Sequence, residues 1–144
     1  MSNRPILLVE DNPDDVLLNK RAFTKNRIRN EIVVAADGEQ ALRHLLPAEG
    51  EALHPALVLL DIKLPKIDGL EVLRRIRDDD RTRHLPVVVL TTSNEERDIV
   101  TSYRLGANSF VRKPVVFEEF VNAVNALGVY WLLINEPAPA GPGG

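Results

Sequence analysis

The sequence predicts an α/β domain in which a parallel sheet is covered by helices on both faces. Three observations carry that prediction. Short apolar runs alternate with helical patterns five times along the chain. Three of the runs, ILLV, ALVLL and VVVL, are apolar throughout, as strands covered on both faces must be. Each run reaches the next through a stretch with helical periodicity, and right-handed crossovers then make the fold doubly wound.

Pro5 to Glu10 is the first strand. Asn12 is suited to cap the helix that follows, with Pro13 at its first position, where a missing N–H costs nothing. Val16, Leu17, Leu18, Ala22 and Phe23 are assigned to its apolar side. Glu31 to Ala35 is the second strand. Asp37-Gly38 opens a second helix carrying Ala41, Leu42, Leu45 and Leu46. Pro47 to Pro55 is a polar connection whose prolines stop both neighbours. Ala56 to Asp61 is the third strand, LPKIDG a turn-rich loop, and Gly69 precedes a third helix with Leu70, Val72, Leu73 and Ile76 on its apolar face. Pro86 introduces the fourth strand, Val87 to Leu90. Asn94, with Glu95 and Glu96 behind it, caps a fourth helix bearing Ile99, Val100 and Tyr103. Gly106-Ala107-Asn108 turns the chain into the fifth strand, Ser109 to Val111, and a fifth helix begins near Val116.

A chain of 144 residues is one domain, expected over 1–134, with a disordered Pro/Gly-rich tail over 135–144. It has no cysteine, which excludes disulfides and thiolate metal sites and is compatible with a reducing cytoplasm. A net charge of −3 without a long basic stretch argues against nucleic acid as a partner. The apolar run Val129 to Ile134 is far short of the roughly 20 residues of a membrane span. His44, His54 and His84 share no close spacing, so no histidine chemistry is expected. No effector domain is read after residue 134, so output is expected to run through protein contacts.

The runs share a feature at their ends. Glu10-Asp11 follow ILLV, Asp61 follows ALVLL, Thr91 follows VVVL, and Lys113 follows SFVR. Ligands of open parallel sheets bind beyond the carboxyl ends of the strands, so these residues are expected to converge. Mg²⁺ takes one or two carboxylates and keeps water. Asp11 and Asp61 are the proposed direct ligands, with Glu10 acting through water and Lys63 through its backbone carbonyl. Asp61 is the proposed nucleophile, because a carboxylate can attack phosphorus and form an acyl phosphate. Phosphoryl transfer needs chiefly positioning and charge neutralisation. Lys113 supplies a compact cation, Thr91 a hydroxyl donor, and the backbone N–H groups of Ile62, Lys63 and Thr92 a phosphate cradle. Taken singly, Thr91 is an ordinary strand residue, Lys113 a surface lysine and Glu10-Asp11 a solvated strand end. Their joint recurrence at strand ends selects the chemical reading.

The ordered set VED, LLD, LPKIDG, LTTS, GANSF and KP resembles the receiver domain of two-component response regulators, over residues 5 to about 127. Thr91 lies 30 positions after Asp61 and Lys113 lies 52 after it, as in that family. The resemblance implies a flavodoxin-like (βα)5 fold, its five parallel strands in the order 2-1-3-4-5. It also implies phosphoryl transfer from a sensor histidine kinase to Asp61, Mg²⁺ beside Glu10 and Asp11, and a switch built on Thr91 and Phe110. Two residues depart from the pattern. Phe110 has no hydroxyl where many relatives carry tyrosine, so it can change packing but donate no hydrogen bond. Thr92 is larger than the residue common there and is expected to crowd the attacking water and slow dephosphorylation.

Val129 to Ile134 is apolar all round on a terminal element, which marks an association surface. It is read as a homodimer interface of Tyr130, Trp131 and Leu132 with Tyr103, Phe110 and Phe117; a flap folded onto its own domain is the alternative. LTTSNEERDIVTSYRLGANSFVRKPVVFEEF followed by YWL is similar to the small response regulators paired with bacterial and cyanobacterial phytochrome kinases. That similarity implies a dimer and a bacteriophytochrome kinase partner. Two other readings compete. A haloacid-dehalogenase-like phosphatase needs an acid/base Asp two residues after its nucleophile, where this chain has Lys63. A phosphate-independent adaptor would not need the site positions that stand intact here. The protein is therefore read as a signalling protein, not an enzyme.

Overall fold

The computed structural model describes residues 4–25, 28–62, 64, 66–91, 101, 104–107, 109–112 and 118; for 91, 109, 110 and 112 it describes the backbone alone. The strands are β1 (Ile6–Val9), β2 (Ile32–Ala35), β3 (Leu57–Asp61), β4 (Val87–Thr91) and β5 (Ser109–Arg112). Between them run α1 (Pro13–Lys25), α2 (Gly38–Leu45) and α3 (Gly69–Asp78). The five strands form one parallel sheet in the order β2-β1-β3-β4-β5.

Strand alternation sorts the core into two layers. Leu7, Val9, Val58, Leu60, Val87 and Val89 face one side, where α2 contributes Ala41, Leu42 and Leu45 and α3 contributes Val72, Leu73 and Ile76. Ile6, Leu8, Leu57, Leu59, Val88 and Leu90 face the other side, where Phe23 of α1 and Ile28 pack. Each such side chain contributes about 1.5–3 kcal/mol when taken fully out of water. Of the expected fourth and fifth helices only Thr101, Arg104 and Glu118 are among the described residues, all three helical; the tail and the segment 129–134 lie outside them.

Local chemistry sets the helix starts. Asn12 accepts hydrogen bonds from the N–H groups of Asp14 (2.9 Å) and Asp15 (3.3 Å), which is the cap its sequence context predicts. Asp37 caps α2 by accepting from the Gln40 N–H at 2.8 Å, and the Gln40 side chain returns to the Ala36 N–H at 3.0 Å. Asp68, not a glycine, precedes α3 and accepts from the Leu70 N–H at 2.9 Å; Gly69 is the first helical residue.

One expectation about α1 is corrected. Leu17 and Leu18 were assigned to its apolar side, yet they are 46% and 54% exposed, and Asn19 is buried instead. A run of three consecutive apolar residues spans about 200° of helix surface, so it cannot all face inward. Val16, Asn19 and Phe23, spaced i, i+3, i+7, take the inner face.

Beyond the strands, Arg77 at the end of α3 fastens the lower edge of the sheet. Its Nε donates to the Gly106 carbonyl at 2.8 Å, and its Nη1 donates to those of Arg83 (2.8 Å) and Leu85 (2.7 Å). Among the described residues no helix is long and apolar enough to cross a membrane.

Candidate metal and phosphoryl site

Parity and register bring two carboxylates together before any side-chain interaction is considered. Glu10 continues the alternation of Ile6 and Leu8, and Asp61 continues that of Leu57 and Leu59, so both side chains leave the same face of the sheet. Val9 pairs with Leu60 across β1 and β3, which sets Glu10 beside Asp61 one residue further on. Asp11 follows at the open end. One carboxylate oxygen from each of Glu10, Asp11 and Asp61 lies within 4.8 Å of the others.

The three differ in their surroundings. Glu10 is 1% exposed and Asp61 6%, whereas Asp11 faces solvent. Glu10 Oε2 accepts from the Asn12 N–H at 3.3 Å, which ties the carboxylate to the turn that starts α1. The Glu10 N–H donates to the Ala35 carbonyl at 2.9 Å, continuing the sheet ladder past β1. The α1 N-terminus also lends its positive dipole end to the acids around it.

The donor set suits a small divalent cation. Oxygen ligands about 2.1 Å from an octahedral ion lie about 3 Å apart when adjacent and about 4.2 Å when opposite. A 4.8 Å cluster therefore admits two direct carboxylates with a third reaching the ion through water. Three ionised carboxylates at this spacing repel by about 3 kcal/mol per pair at an effective dielectric of 20, which favours a cation among them.

The other expected site residues distribute as follows. Thr91 ends β4, its backbone paired with Arg112, and Asp61 pairs with Leu90, so Thr91 stands one step beyond the level of Asp61. Phe110 pairs with Val89 in β5. The side chains of Thr91 and Phe110 lie outside the described residues, as do Lys63, Thr92, Tyr103, Lys113, Phe117, Tyr130, Trp131 and Leu132. The expectation for Ile62 is corrected. Its N–H, assigned to the phosphate cradle, donates to the Leu90 carbonyl at 3.3 Å because the β3–β4 ladder runs past Asp61, and its side chain is buried in the core.

One contributor to the site and one contact in the neighbouring loop are not legible as such in the sequence. Gly69 packs directly on the Asp61–Ile62 backbone: its N–H donates to the Ile62 carbonyl at 2.9 Å, and a Cβ there would lie 2.1 Å from the Asp61 carbonyl oxygen. The DG pair after LPKI was the available signal, since glycine is the residue that permits close backbone approach. Lys66, at φ 65°, sits 3.6 Å from both Asp37 Oδ2 and Glu39 Oε2. No sequence signal pairs those positions.

Comparison with known proteins agrees with this geometry. A family model described as the response regulator receiver domain matches residues 6–125. The probable methanogenesis regulatory protein FilR2 of Methanothrix harundinacea is 43% identical over 94% of this chain and 88% of its own length. Response regulator Rcp1 of Synechocystis sp. is 38% identical over 91% of this chain and 92% of its length. The solved structure of Rcp1 in its Mn²⁺-bound form matches with a TM-score of 0.72, at 36% identity over 95% of this chain and 99% of that one. The bacteriophytochrome response regulator AtBRR matches with a TM-score of 0.80, at 52% identity over 94% of this chain and all of that one.

Proposed function

We propose that Asp61 is the phosphoacceptor of this chain, which belongs to the response regulator receiver domain family. Receiver domains of this kind are signalling proteins, and this one is read as passing its signal by contact rather than by turning over a substrate. The observation that carries the reading is the Glu10, Asp11 and Asp61 cluster at the carboxyl ends of β1 and β3. An Asp61 carboxylate oxygen attacks the phosphorus of the donor, a P–O bond forms, and the bond from phosphorus to the donor nitrogen breaks. Asp11 and Asp61 would hold Mg²⁺ directly, Glu10 through water, and Lys63 by its carbonyl. Such an ion supplies neutralisation of charge on the phosphoryl oxygens. Thr91 and Lys113 are assigned to read the bound phosphoryl group, Lys63 and Thr92 to the cradle, and Thr91 with Phe110 to the switch.

The donor is proposed to be a sensor histidine kinase of the bacteriophytochrome class. Support comes from the 52% identity to AtBRR, itself described as a bacteriophytochrome response regulator. A cytoplasmic homodimer built on Tyr103, Phe110, Phe117, Tyr130, Trp131 and Leu132 is proposed on the sequence grounds given above, with a receiver unit over 1–134 and a tail over 135–144.

Incubation with phosphoramidate and Mg²⁺, followed by intact-mass measurement, tests the reading. The wild type is expected to gain one phosphoryl unit, roughly 80 Da. Asp61→Asn should gain none, and Asp11→Ala should label at least tenfold more slowly while its circular dichroism is unchanged. Full labelling of Asp61→Asn at the wild-type rate would overturn the assignment.

A further inference from the structure

We propose that the free edge of β2 pairs with the β2 edge of a second copy of this chain, antiparallel about a two-fold axis, so that two sheets join into one. This surface is distinct from the C-terminal interface proposed above.

The backbone hydrogen bonds identify the edge. β2 is the outermost strand of the sheet on its side and pairs with β1. The Ile6 N–H donates to the Glu31 carbonyl and the Glu10 N–H to the Ala35 carbonyl, both at 2.9 Å. In a parallel ladder alternate residues turn toward the same neighbour. Glu31, Val33 and Ala35 therefore face β1, while Ile32 and Val34 present their N–H and C=O groups outward. Among the described residues nothing bonds to those outward groups. The next outward N–H, that of Ala36, is taken by the Gln40 side chain at 3.0 Å. Native edge strands are commonly guarded by charge, proline or a bulge. The strand IVVA has none of these, and its first three residues are half-buried.

The edge is complementary to itself. A register centred on Val33 sets Ile32 of each copy opposite Val34 of the other. Each such pair exchanges both N–H···O bonds, so every outward group of Ile32 and Val34 is satisfied. The contact is isologous, as a two-fold dimer requires. The same register places the exposed Arg29 across from Asp37 of the other copy, at both ends of the pairing. These charges select the antiparallel direction and add little affinity.

The side chains agree with this register. Residues directly opposed across paired strands share a face. Val34 of the second copy therefore lands beside Ile32 on the α1 face. A cavity of about 240 Å³ opens there, lined in part by Phe23, Ile28 and Ile32. Among the described residues Ile32, Val33 and Ala35 belong to or pack on the two core layers, whereas Val34 joins neither. Pairing gives that valine an apolar seat in the other copy.

The chain has no cysteine, so a single introduced one reports the contact. Val33 of the two copies would meet at the axis as a non-hydrogen-bonded pair, with Cα atoms about 4.5 Å apart, within the span of a disulfide. Val33→Cys in the full chain, oxidised with copper–phenanthroline, is expected to give a disulfide-linked dimer on a non-reducing gel. It should form several times faster than with Glu51→Cys, which is exposed in the connection before β3. Adding Val34→Pro removes the outward N–H of each copy and no bond to β1, so the fold survives. Cross-linking should then fall about tenfold, for two inter-copy bonds lost. Val34→Lys, which guards the edge by charge, should lower it as well, and carries the comparison if the circular dichroism of Val34→Pro departs from wild type. Adding Trp131→Ala instead should leave cross-linking within about twofold, because that residue belongs to the other proposed interface. Cross-linking of Val33→Cys no faster than that of Glu51→Cys, or unchanged by the Val34 variants, overturns the pairing. Loss of cross-linking on Trp131→Ala assigns the contact to the C-terminal interface and overturns it equally.

Discussion

Replacing Gly69 by alanine tests whether Asp61, the proposed phosphoacceptor, is held in place by backbone contact. The new Cβ would lie 2.1 Å from the Asp61 carbonyl oxygen, 2.7 Å from Ile62 Cα and 2.8 Å from the Ile62 carbonyl oxygen. Ordinary contact begins near 3.4 Å, so the shortfall at the closest atom is 1.3 Å. All three obstacles are backbone, and no side-chain rotamer can yield. Either the start of α3 moves outward by about 1 Å or the Asp61–Ile62 segment moves. The first choice weakens the Gly69 to Ile62 hydrogen bond, about 1 kcal/mol. Overpacking of this kind adds about 1–3 kcal/mol. Alanine's better helix propensity and lower unfolded-state entropy return up to about 1 kcal/mol. The net expectation is a loss of about 2 kcal/mol, read as a fall of roughly 8 °C in Tm for a domain of this size. The chemical effect should be larger in proportion, because a 1 Å misplacement of a reacting group can cost about a hundredfold. Phosphoramidate labelling of Gly69→Ala is therefore expected to be at least tenfold slower than wild type. Gly50→Ala serves as the control. Gly50 has φ 86° with nothing within 4 Å of a Cβ, so alanine there strains only its own turn and should label normally. Labelling of Gly69→Ala within threefold of wild type, with an unchanged urea midpoint, would show that the contact does not position Asp61.

Two further outcomes concern stability. Arg77→Ala removes three charge-assisted hydrogen bonds to carbonyls at the edge of the sheet opposite the site, and should cost about 2–3 kcal/mol in urea unfolding while labelling stays within twofold. Arg77→Lys should recover less than half, since an ammonium cannot fork to carbonyls on two sides; a loss below 1 kcal/mol for Arg77→Ala would contradict the clamp. At low pH, Glu71 and Asp79 matter. The guanidinium groups of Arg74 and Arg75 hold the Glu71 carboxyl down at about 2, and Arg81 holds Asp79 at about 2. Both carboxyls are lowered on folding, so their stabilisation is complete above their ordinary values of 4.5 and 3.8 and is lost as pH falls toward 2. The urea midpoint of Glu71→Gln should lie below that of wild type at pH 7 and meet it at pH 2; a gap that persists at pH 2 would rule out the ion pairs as its source.

The sheet was legible because its strands leave no ambiguity. ILLV, ALVLL and VVVL have no polar face, and only a central position in a doubly covered sheet accommodates that. The acidic cluster was legible for the same reason, since Glu10, Asp11 and Asp61 stand where the apolar runs stop. What escaped the sequence was tertiary in origin. The inner face of α1 was misjudged because Val16-Leu17-Leu18 offers three apolar choices, and the place of Phe23 decides among them. A buried Asn19 cannot be inferred from apolar spacing at all. Lys66 and Arg77 read as two more surface cations; the first finds its partners 29 and 27 positions back, and the second reaches a carbonyl 29 positions ahead. The Ile62 amide was assigned to the cradle because sequence cannot say how far a ladder extends past a strand's last apolar residue.

The position of the cluster follows from the cost of burying charge. Inside the sheet, both faces of β1 and β3 are dry, and an ionised carboxylate there would have no partner to offset its lost hydration. The first place a carboxylate can stand is one residue past the last covered pair, Val9 and Leu60. Parallel register places those strand ends side by side, so two acids become neighbours as soon as each strand ends in one. An antiparallel pair would have put them at opposite ends. A one-residue slip of β3 would turn Asp61 to the face that α2 and α3 cover, among Val58, Leu60 and Ile62. The register that buries Leu57 and Leu59 is thus the same register that sets Asp61 beside Glu10, and core packing enforces the geometry of the site.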